Sequence, residues 1–194
     1  MRIIGGIAAG RIIKAPKGLD VRPTPDRVRQ AIFNRLGESI EDTRVLELFG
    51  GTGALSLESL SRGAKSSTCV ELSRRHARFI EQNAKVCGLP AGSLQLCVDD
   101  VFHALTRFAK SDRQFDFIMA DPPFGDKNVG RRSTSFSQKL LDDENLPQLL
   151  AEEGQLILGH TRRDTLDLPA HWHEDKLMKH GDSLFRFLRH QPAQ

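Results

Sequence analysis

Residues 45–53 read VLELFGGTG. Val45, Leu46, Leu48 and Phe49 form a short β-prone run that Gly50, Gly51 and Gly53 interrupt. The apolar spacing of the residues behind them predicts a helix near 53–62. A strand that passes through glycines into a helix opens a β-α unit, the building block of a parallel sheet.

The same alternation continues downstream. Strands are predicted at STCVE (67–71), LQLCV (94–98), FDFIMA (115–120) and QLILGH (155–160), and helices near 73–87, 101–109 and 144–152. The last two runs, near 172–179 and 183–189, have no helix between them and predict an antiparallel hairpin at the sheet edge. Upstream, RII (2–4) and RIIK (11–14) are separated by Gly5, Gly6 and Gly10, which suits a small hairpin. In VRPTPDRVRQAIFNRLG, Thr24 can cap a helix, Pro25 fits its first position, Asp26 complements the dipole and Gly37 stops it. Val28, Ile32 and Leu36 make the apolar stripe, which puts Arg27 and Arg29 toward solvent or a ligand. The fold expected is α/β and Rossmann-like: a mostly parallel sheet, helices on both faces, a C-terminal antiparallel hairpin and a small N-terminal hairpin and helix extension. The extension is expected over 1–40 and the main domain over 41–194.

A chain of 194 residues buries enough apolar surface to fold without disulfides or metal. Cys69, Cys87 and Cys97 form no CxxC pair, and His171-x-His173 is the closest histidine pair, so no metal is expected. No apolar run approaches the roughly 20 residues of a membrane span. A reducing, cytoplasmic setting, no membrane partner and a monomer are the expectations. The charge is uneven. Residues 1–35 hold eight basic residues and two acidic ones, whereas the remainder is slightly acidic. A basic arm on an acidic body is the footprint of a protein that docks a polyanion. Arg2, Arg11, Lys14, Arg22, Arg27 and Arg29 are the candidate contacts, with Thr24 among them. Lys127, Arg131 and Arg132, in a polar stretch read as a long loop over 125–137, form a second basic group.

Glycines at a strand-to-helix turn let backbone N–H groups approach a ligand at the helix N-terminus. Glu71 ends the next strand about 20 residues on, where a carboxylate accepts from ribose hydroxyls. The two signals together point to a nucleoside-containing cofactor. A nicotinamide fingerprint needs a third glycine, and Ser56 follows instead; a P-loop needs GK[ST], which is missing. Glu47, inside the strand, suits a cationic ligand such as S-adenosylmethionine better than a pyrophosphate.

Asp121-Pro122-Pro123-Phe124 follows the FDFIMA strand, and ligands of open α/β sheets bind at carboxyl strand ends. Two prolines force an extended backbone and remove two donors. The Asp121 carboxylate and Pro122 carbonyl can then accept both hydrogens of an exocyclic amine, and Phe124 offers a ring for stacking. An amine so held turns its lone pair toward an incoming methyl group, by positioning and electrostatics alone.

These residues resemble the class I S-adenosylmethionine-dependent methyltransferases that modify base amines. The runs RIIGG, VRPTPDRVRQAIFN, LELFGGTGALSLESLSRGA, VELSRR and DPPF, in that order over residues 2–189, resemble the RsmD family. Those enzymes methylate a guanine N2 in 16S ribosomal RNA, and the resemblance implies that substrate here, within an assembled or partly assembled small subunit. It places Glu47, Phe49, Gly50, Gly51, Thr52 and Gly53 around the methionine part of the cofactor, and Glu71 and Leu72 at the ribose. Asp100, or its neighbour Asp99, falls near the adenine amine beside Val101, and Asp121 to Phe124 take the target amine. Two departures stand out: Glu47 and Gly50 replace the commoner Asp and Ala of the first motif, and Gly159-His160 stands where the family often has an acid. Methylation of a DNA base or a protein glutamine, and a non-catalytic RNA-binding assembly role, are the alternatives.

Overall fold

The computed structural model describes residues 1–15, 24–123, 128 and 131–191. Arg22, Phe124 and Lys127 lie outside the described residues. The elements are α1 (Asp26–Leu36), β1 (Arg44–Leu48), α2 (Ala54–Ser61), β2 (Ser66–Glu71), α3 (Arg74–Cys87), β3 (Leu94–Val98), α4 (Val101–Ala109), β4 (Phe115–Ala120), α5 (Phe136–Leu141), β5 (Leu150–Thr161), β6 (Trp172–His180) and β7 (Ser183–His190). The chain divides into two compact units, Met1–Ala104 and Leu105–Gln194.

In the first unit the strands run in the order β3-β2-β1, all parallel. Val45, Leu46, Leu48, Cys69 and Val70 are buried, as the near-continuous apolar runs of parallel strands require. All eight residues of α2 are buried. Two of its three serines find partners: Ser59 Oγ donates to the Leu55 carbonyl (2.8 Å), and Ser61 Oγ donates to the Gly5 carbonyl (2.6 Å).

The N-terminal hairpin packs into this unit. Among the described residues a single bridge, Arg2 with Ile12, pairs its two arms. Its stability comes from Ile3, Ala8 and Ile13, which pack with Ala54, Leu57 and Cys87. The fully buried Glu58 carboxylate accepts from the backbone N–H groups of Ile4 (2.8 Å) and Gly5 (2.9 Å) and pairs with Arg62 (2.8 Å). Gly6 is a place where only glycine fits. Its φ is +76°, and a Cβ there would sit 1.7 Å from the Ser61 carbonyl oxygen.

Contrary to the expectation from the apolar stripe, Arg29 does not face solvent. It is fully buried, donating Nη1 to the Thr24 carbonyl (2.8 Å) and Nη2 to the Arg2 carbonyl and Asp26 (3.0 Å). Three acceptors make burial of the guanidinium tolerable, so Arg29 ties the arm to α1 and is not an RNA contact. Thr24 is buried with it, and α1 begins at Asp26 with Pro25 in the cap position, one residue later than the capping pattern suggests.

In the second unit the order is β4-β5-β7-β6, with β4 and β5 parallel and the hairpin β6-β7 antiparallel, as expected. The helix expected near 144–152 is not formed. Pro147–Leu149 make one 3-10 turn, and β5 starts at Leu150. Leu150 pairs with Phe115 of β4 and Gln155 with Phe117, so strand pairing overrides the helix preference on both sides of a register shift at 151–154, and Gly154, whose Cβ would meet the carbonyls of Ala151 (2.8 Å) and Phe115 (3.0 Å), lets the chain bulge there close to β4. Instead α5 forms from Phe136, overlapping the end of the predicted loop. Trp172 is buried, its indole N–H donating to the Leu141 carbonyl (3.0 Å).

Candidate cofactor loop and strand-end motif

The glycine loop is built by the first unit from three strand ends. Gly50 N–H donates to the Val70 carbonyl (2.9 Å) and Gly53 N–H to the Gly50 carbonyl (2.7 Å), so the chain turns tightly off β1 into α2. Gly51 and Gly53 have φ of +55° and +73°. Phe49 shares that left-handed region at +59°, a conformation a bulky residue holds only where its surroundings enforce it. A Cβ on Gly53 would lie 2.7 Å from Ile80 Cγ2, and one on Gly50 would lie 2.4 Å from Cys69 Sγ.

Glu71 reaches this loop. Its Oε2 accepts from Gly51 N–H (2.7 Å), its Oε1 from Ser73 N–H (2.8 Å), and His76 Nδ1 lies 3.4 Å away. A carboxylate has about four lone-pair directions, and since Ser73 N–H and His76 both lie on Oε1, Oε2 keeps one for a ribose hydroxyl. Leu72, next in the chain, is 69% exposed and offers an apolar surface. Asp99 N–H donates to the Glu71 carbonyl (3.2 Å), which brings the end of β3 to the end of β2. Asp100 Oδ1 accepts from the N–H groups of Phe102 (2.9 Å) and His103 (3.2 Å) and so caps α4. Its other oxygen has no partner among the described residues, as an acceptor for an amine requires. Val101 is buried behind it.

Glu47 is engaged differently from what the resemblance implies. It is buried, and its two oxygens accept from α2: Oε1 from Leu55 N–H (3.2 Å), Oε2 from Ser56 N–H (2.9 Å). The Cys69 thiol adds a third contact to Oε2 (3.4 Å). Glu47 thus anchors the start of α2 and fixes the loop from behind. Burial pushes its carboxyl up from an ordinary 4.5 to about 7, against the helix hydrogen bonds that pull it down. A carboxyl raised on folding stabilises the folded state below about pH 4.5 and loses that contribution as pH rises through about 7. Wild-type stability is therefore expected to fall by up to about 3 kcal/mol between pH 4.5 and 8 relative to Glu47→Gln. Urea unfolding of both proteins across that range measures it, and parallel pH profiles would contradict it.

Sequence reasoning missed Asn83, which is nearly fully buried on α3. Its Oδ1 accepts from Lys14 N–H (2.8 Å), and its Nδ2 donates to the carbonyls of Lys14 (2.9 Å) and Thr52 (3.1 Å). One amide ties the N-terminal arm to the glycine loop. The detectable signal was a polar residue on the buried stripe of Ala77, Ile80 and Cys87.

The second unit holds the strand-end motif. β4 stops at Ala120; Asp121 is half-buried, Pro122 buried and Pro123 exposed. Beside Asp121 lies Gly159 of β5, where a Cβ would come 2.5 Å from Asp121 Oδ1 and 2.9 Å from a ring carbon of Phe185. The Gly159-His160 departure is thus accounted for: both residues lie inside β5, and the missing side chain makes room for the Asp121 carboxylate. His160 is buried, with Nδ1 on the Asp164 carbonyl (3.1 Å) and Nε2 accepting from Arg186 Nε (3.2 Å). Burial and Arg186 push its pKa down, so the ring is neutral, and Arg186 is neutralised by Glu174. Of the second basic group, Arg131 is exposed and Arg132 is paired with Asp142 (2.7 Å) and Asp167 (3.6 Å).

Strand order, the glycine loop and the acidic strand end define a class I methyltransferase fold. Comparison with known proteins supports the same class. A family model described as conserved hypothetical protein 95 matches residues 1–189. Ribosomal RNA small subunit methyltransferase D of Escherichia coli K12 is 32% identical over 180 residues, covering 91% of this chain and 84% of its own. The same-named protein of Buchnera aphidicola from Acyrthosiphon pisum is 29% identical over 88% of this chain and 83% of its own. Among solved structures, yhhF of Escherichia coli superposes with a TM-score of 0.79 at 28% identity, over 100% of this chain and 99% of that one. Protein TTHA0928 of Thermus thermophilus gives 0.78 at 26%, over 97% and 99%. The chain belongs to this family, the RsmD-type class I methyltransferases, whose methyl donor is S-adenosylmethionine.

Proposed function

We propose that the protein transfers a methyl group from S-adenosylmethionine to the exocyclic N2 amine of a guanine in 16S ribosomal RNA, within an assembled or partly assembled small subunit. Membership of a family whose named relatives are ribosomal RNA small subunit methyltransferases supports rRNA as the substrate class. The amine as acceptor is supported by one observation above all: Asp121 ends β4 with a carboxylate oxygen beside the bare backbone of Gly159, followed by a buried proline that has a carbonyl and no N–H.

The cofactor supplies an electrophilic methyl on a sulfonium. Gly50 to Gly53 give it a turn without bulky side chains, Glu71 accepts from its ribose, and the second oxygen of Asp100 accepts from its adenine amine. Asp121 and the Pro122 carbonyl hold the two amine hydrogens, so that the nitrogen lone pair is drawn out of conjugation with the ring and directed at the incoming methyl group. Positioning then does most of the catalysis. The proton released goes to Asp121 or to water. A guanine in folded RNA must leave its stack to reach these acceptors. The exposed Arg2, Arg11, Lys14, Arg27 and Arg131 supply the positive field for phosphate.

The test uses labelled S-adenosylmethionine with unmodified 16S rRNA, naked and in partly assembled small subunits, followed by digestion to nucleosides. Label in N2-methylguanosine, stronger from the particles, is the expected result. Label in N6-methyladenosine would move the reading to a different base amine, and unlabelled RNA from both substrates would overturn it.

A further inference from the structure

Helix α3 is charged against its own dipole. Arg74 and Arg75 begin it and Arg78 follows one turn on, with no acid in the first turn. The N-terminus of a helix carries partial positive charge and favours anions, so three arginines there weaken the helix. All three are exposed, and among the described residues none is in an ion pair. Other arginines of the same unit have carboxylate partners: Arg29 pairs with Asp26 (3.0 Å), which the exposed Arg2 shares at 3.9 Å, and Arg62 pairs with Glu58 (2.8 Å). Glu81 is the one acid in α3, against Lys85 further along the same exposed side.

This face continues into the N-terminal arm. Asn83 holds Lys14 by its N–H and its carbonyl, and Ile13 packs in one cluster with Cys87 at the end of α3. The exposed side chains of Arg11 and Lys14 therefore stand beside the C-terminal half of the helix. The result is a basic strip that runs the length of α3, about 20 Å, enough to span several phosphates of a nucleic-acid strand.

We propose that this strip, from Arg74, Arg75 and Arg78 through Lys85 to Arg11 and Lys14, is a docking surface for the phosphate backbone of the substrate RNA. The proposal rests on the RNA reading above and adds to it a surface on α3. Unpaired cations release counterions on binding, whereas arginines already held by carboxylates release few, so the strip carries a disproportionate share of the salt dependence. Its contribution is to affinity and register, not to the choice of base.

The test compares wild type, Arg74→Ala/Arg75→Ala/Arg78→Ala and a control that loses exposed lysines of β6, Lys176→Ala/Lys179→Ala. Each is titrated with an unmodified 16S rRNA transcript, and with partly assembled small subunits, at several salt concentrations. The triple variant is expected to bind about 10-fold or more weakly, with a log-log salt slope shallower by about 2. Its melting temperature is expected to stay level or rise, since cations leave a helix N-terminus, and its affinity for S-adenosylhomocysteine to stay level. The control keeps wild-type affinity to within about twofold. A triple variant with wild-type affinity and slope, or an equal loss in the control, would overturn the surface while leaving the methylation reading intact. Wild-type protein that binds neither the transcript nor partly assembled small subunits would overturn both.

Discussion

Asp121→Asn is expected to leave the protein folded and able to bind S-adenosylhomocysteine, yet to lower methyl transfer to rRNA by about 10³-fold. Asparagine has nearly the same shape, so the space beside Gly159 still accommodates it. It replaces one acceptor oxygen by a donor, which meets an amine hydrogen instead of accepting it. It also removes a negative charge near an amine that becomes cationic as it is methylated. The loss belongs in kcat, because the interaction strengthens as the amine gives up its lone pair. Single-turnover assays with saturating RNA and cofactor measure it. Activity within about tenfold of wild type would show that Asp121 does not hold the amine.

Gly53→Ala is expected to cost about 2–4 kcal/mol of stability and most of the affinity for the cofactor. Two effects combine. The φ of +73° is strained for any L-residue, and the added methyl would stand 2.7 Å from Ile80 Cγ2. Relief requires the loop to move off α3, which withdraws Gly51 N–H from Glu71. Gly50→Ala provides the contrast. Gly50 is outside the left-handed region, and its nearest obstacle is Cys69 Sγ at 2.4 Å, so Cys69→Ala should restore a Gly50→Ala protein. No partner change restores Gly53→Ala, because part of its cost lies in its own backbone. Denaturation midpoints and calorimetric titration with S-adenosylhomocysteine distinguish the two cases.

The parts of the fold legible in sequence were those in which local pattern and tertiary demand agree. LQLCV, FDFIMA and the helix at 101–109 have their observed bounds, because FDFIMA is the apolar run of a buried strand, LQLCV is a short β-prone run that fits a partly exposed edge strand, and the spacing of Val101, Leu105 and Phe108 suits a helix face. Where the two conflict, tertiary structure wins. Leu150 to Glu153 prefer a helix but lie in β5, fixed by pairing with β4 at Leu150 and again from Gln155 onward. The start of α5 overlaps a polar loop pattern because six residues give little periodicity, although Ser135 and Gln138 have the spacing of a capping box, with Ser135 Oγ accepting from Gln138 N–H at 3.2 Å.

Site residues followed the same logic. Glycines and strand-end acids are legible because the chemistry restricts which residue can stand there. The job of a carboxylate is not: Glu47, Glu58 and Glu71 are all buried, but only coordinates show that the first anchors α2, the second clamps the N-terminal arm and the third reaches the glycine loop. Charge alone misled at Arg29, where three backbone and side-chain acceptors turn a surface residue into a core one. It also passed over α3, whose arginines are conspicuous only once their exposure and lack of carboxylate partners among the described residues are seen.

Titration of S-adenosylhomocysteine into the wild-type protein addresses the cofactor loop most directly. One molecule should bind per chain, with affinity reduced at least tenfold in Glu71→Ala, where the ribose acceptor is gone and Gly51 loses its partner. No heat of binding from folded wild-type protein, or full affinity in Glu71→Ala, would contradict the assignment of this loop and its strand-end carboxylate to the methyl donor.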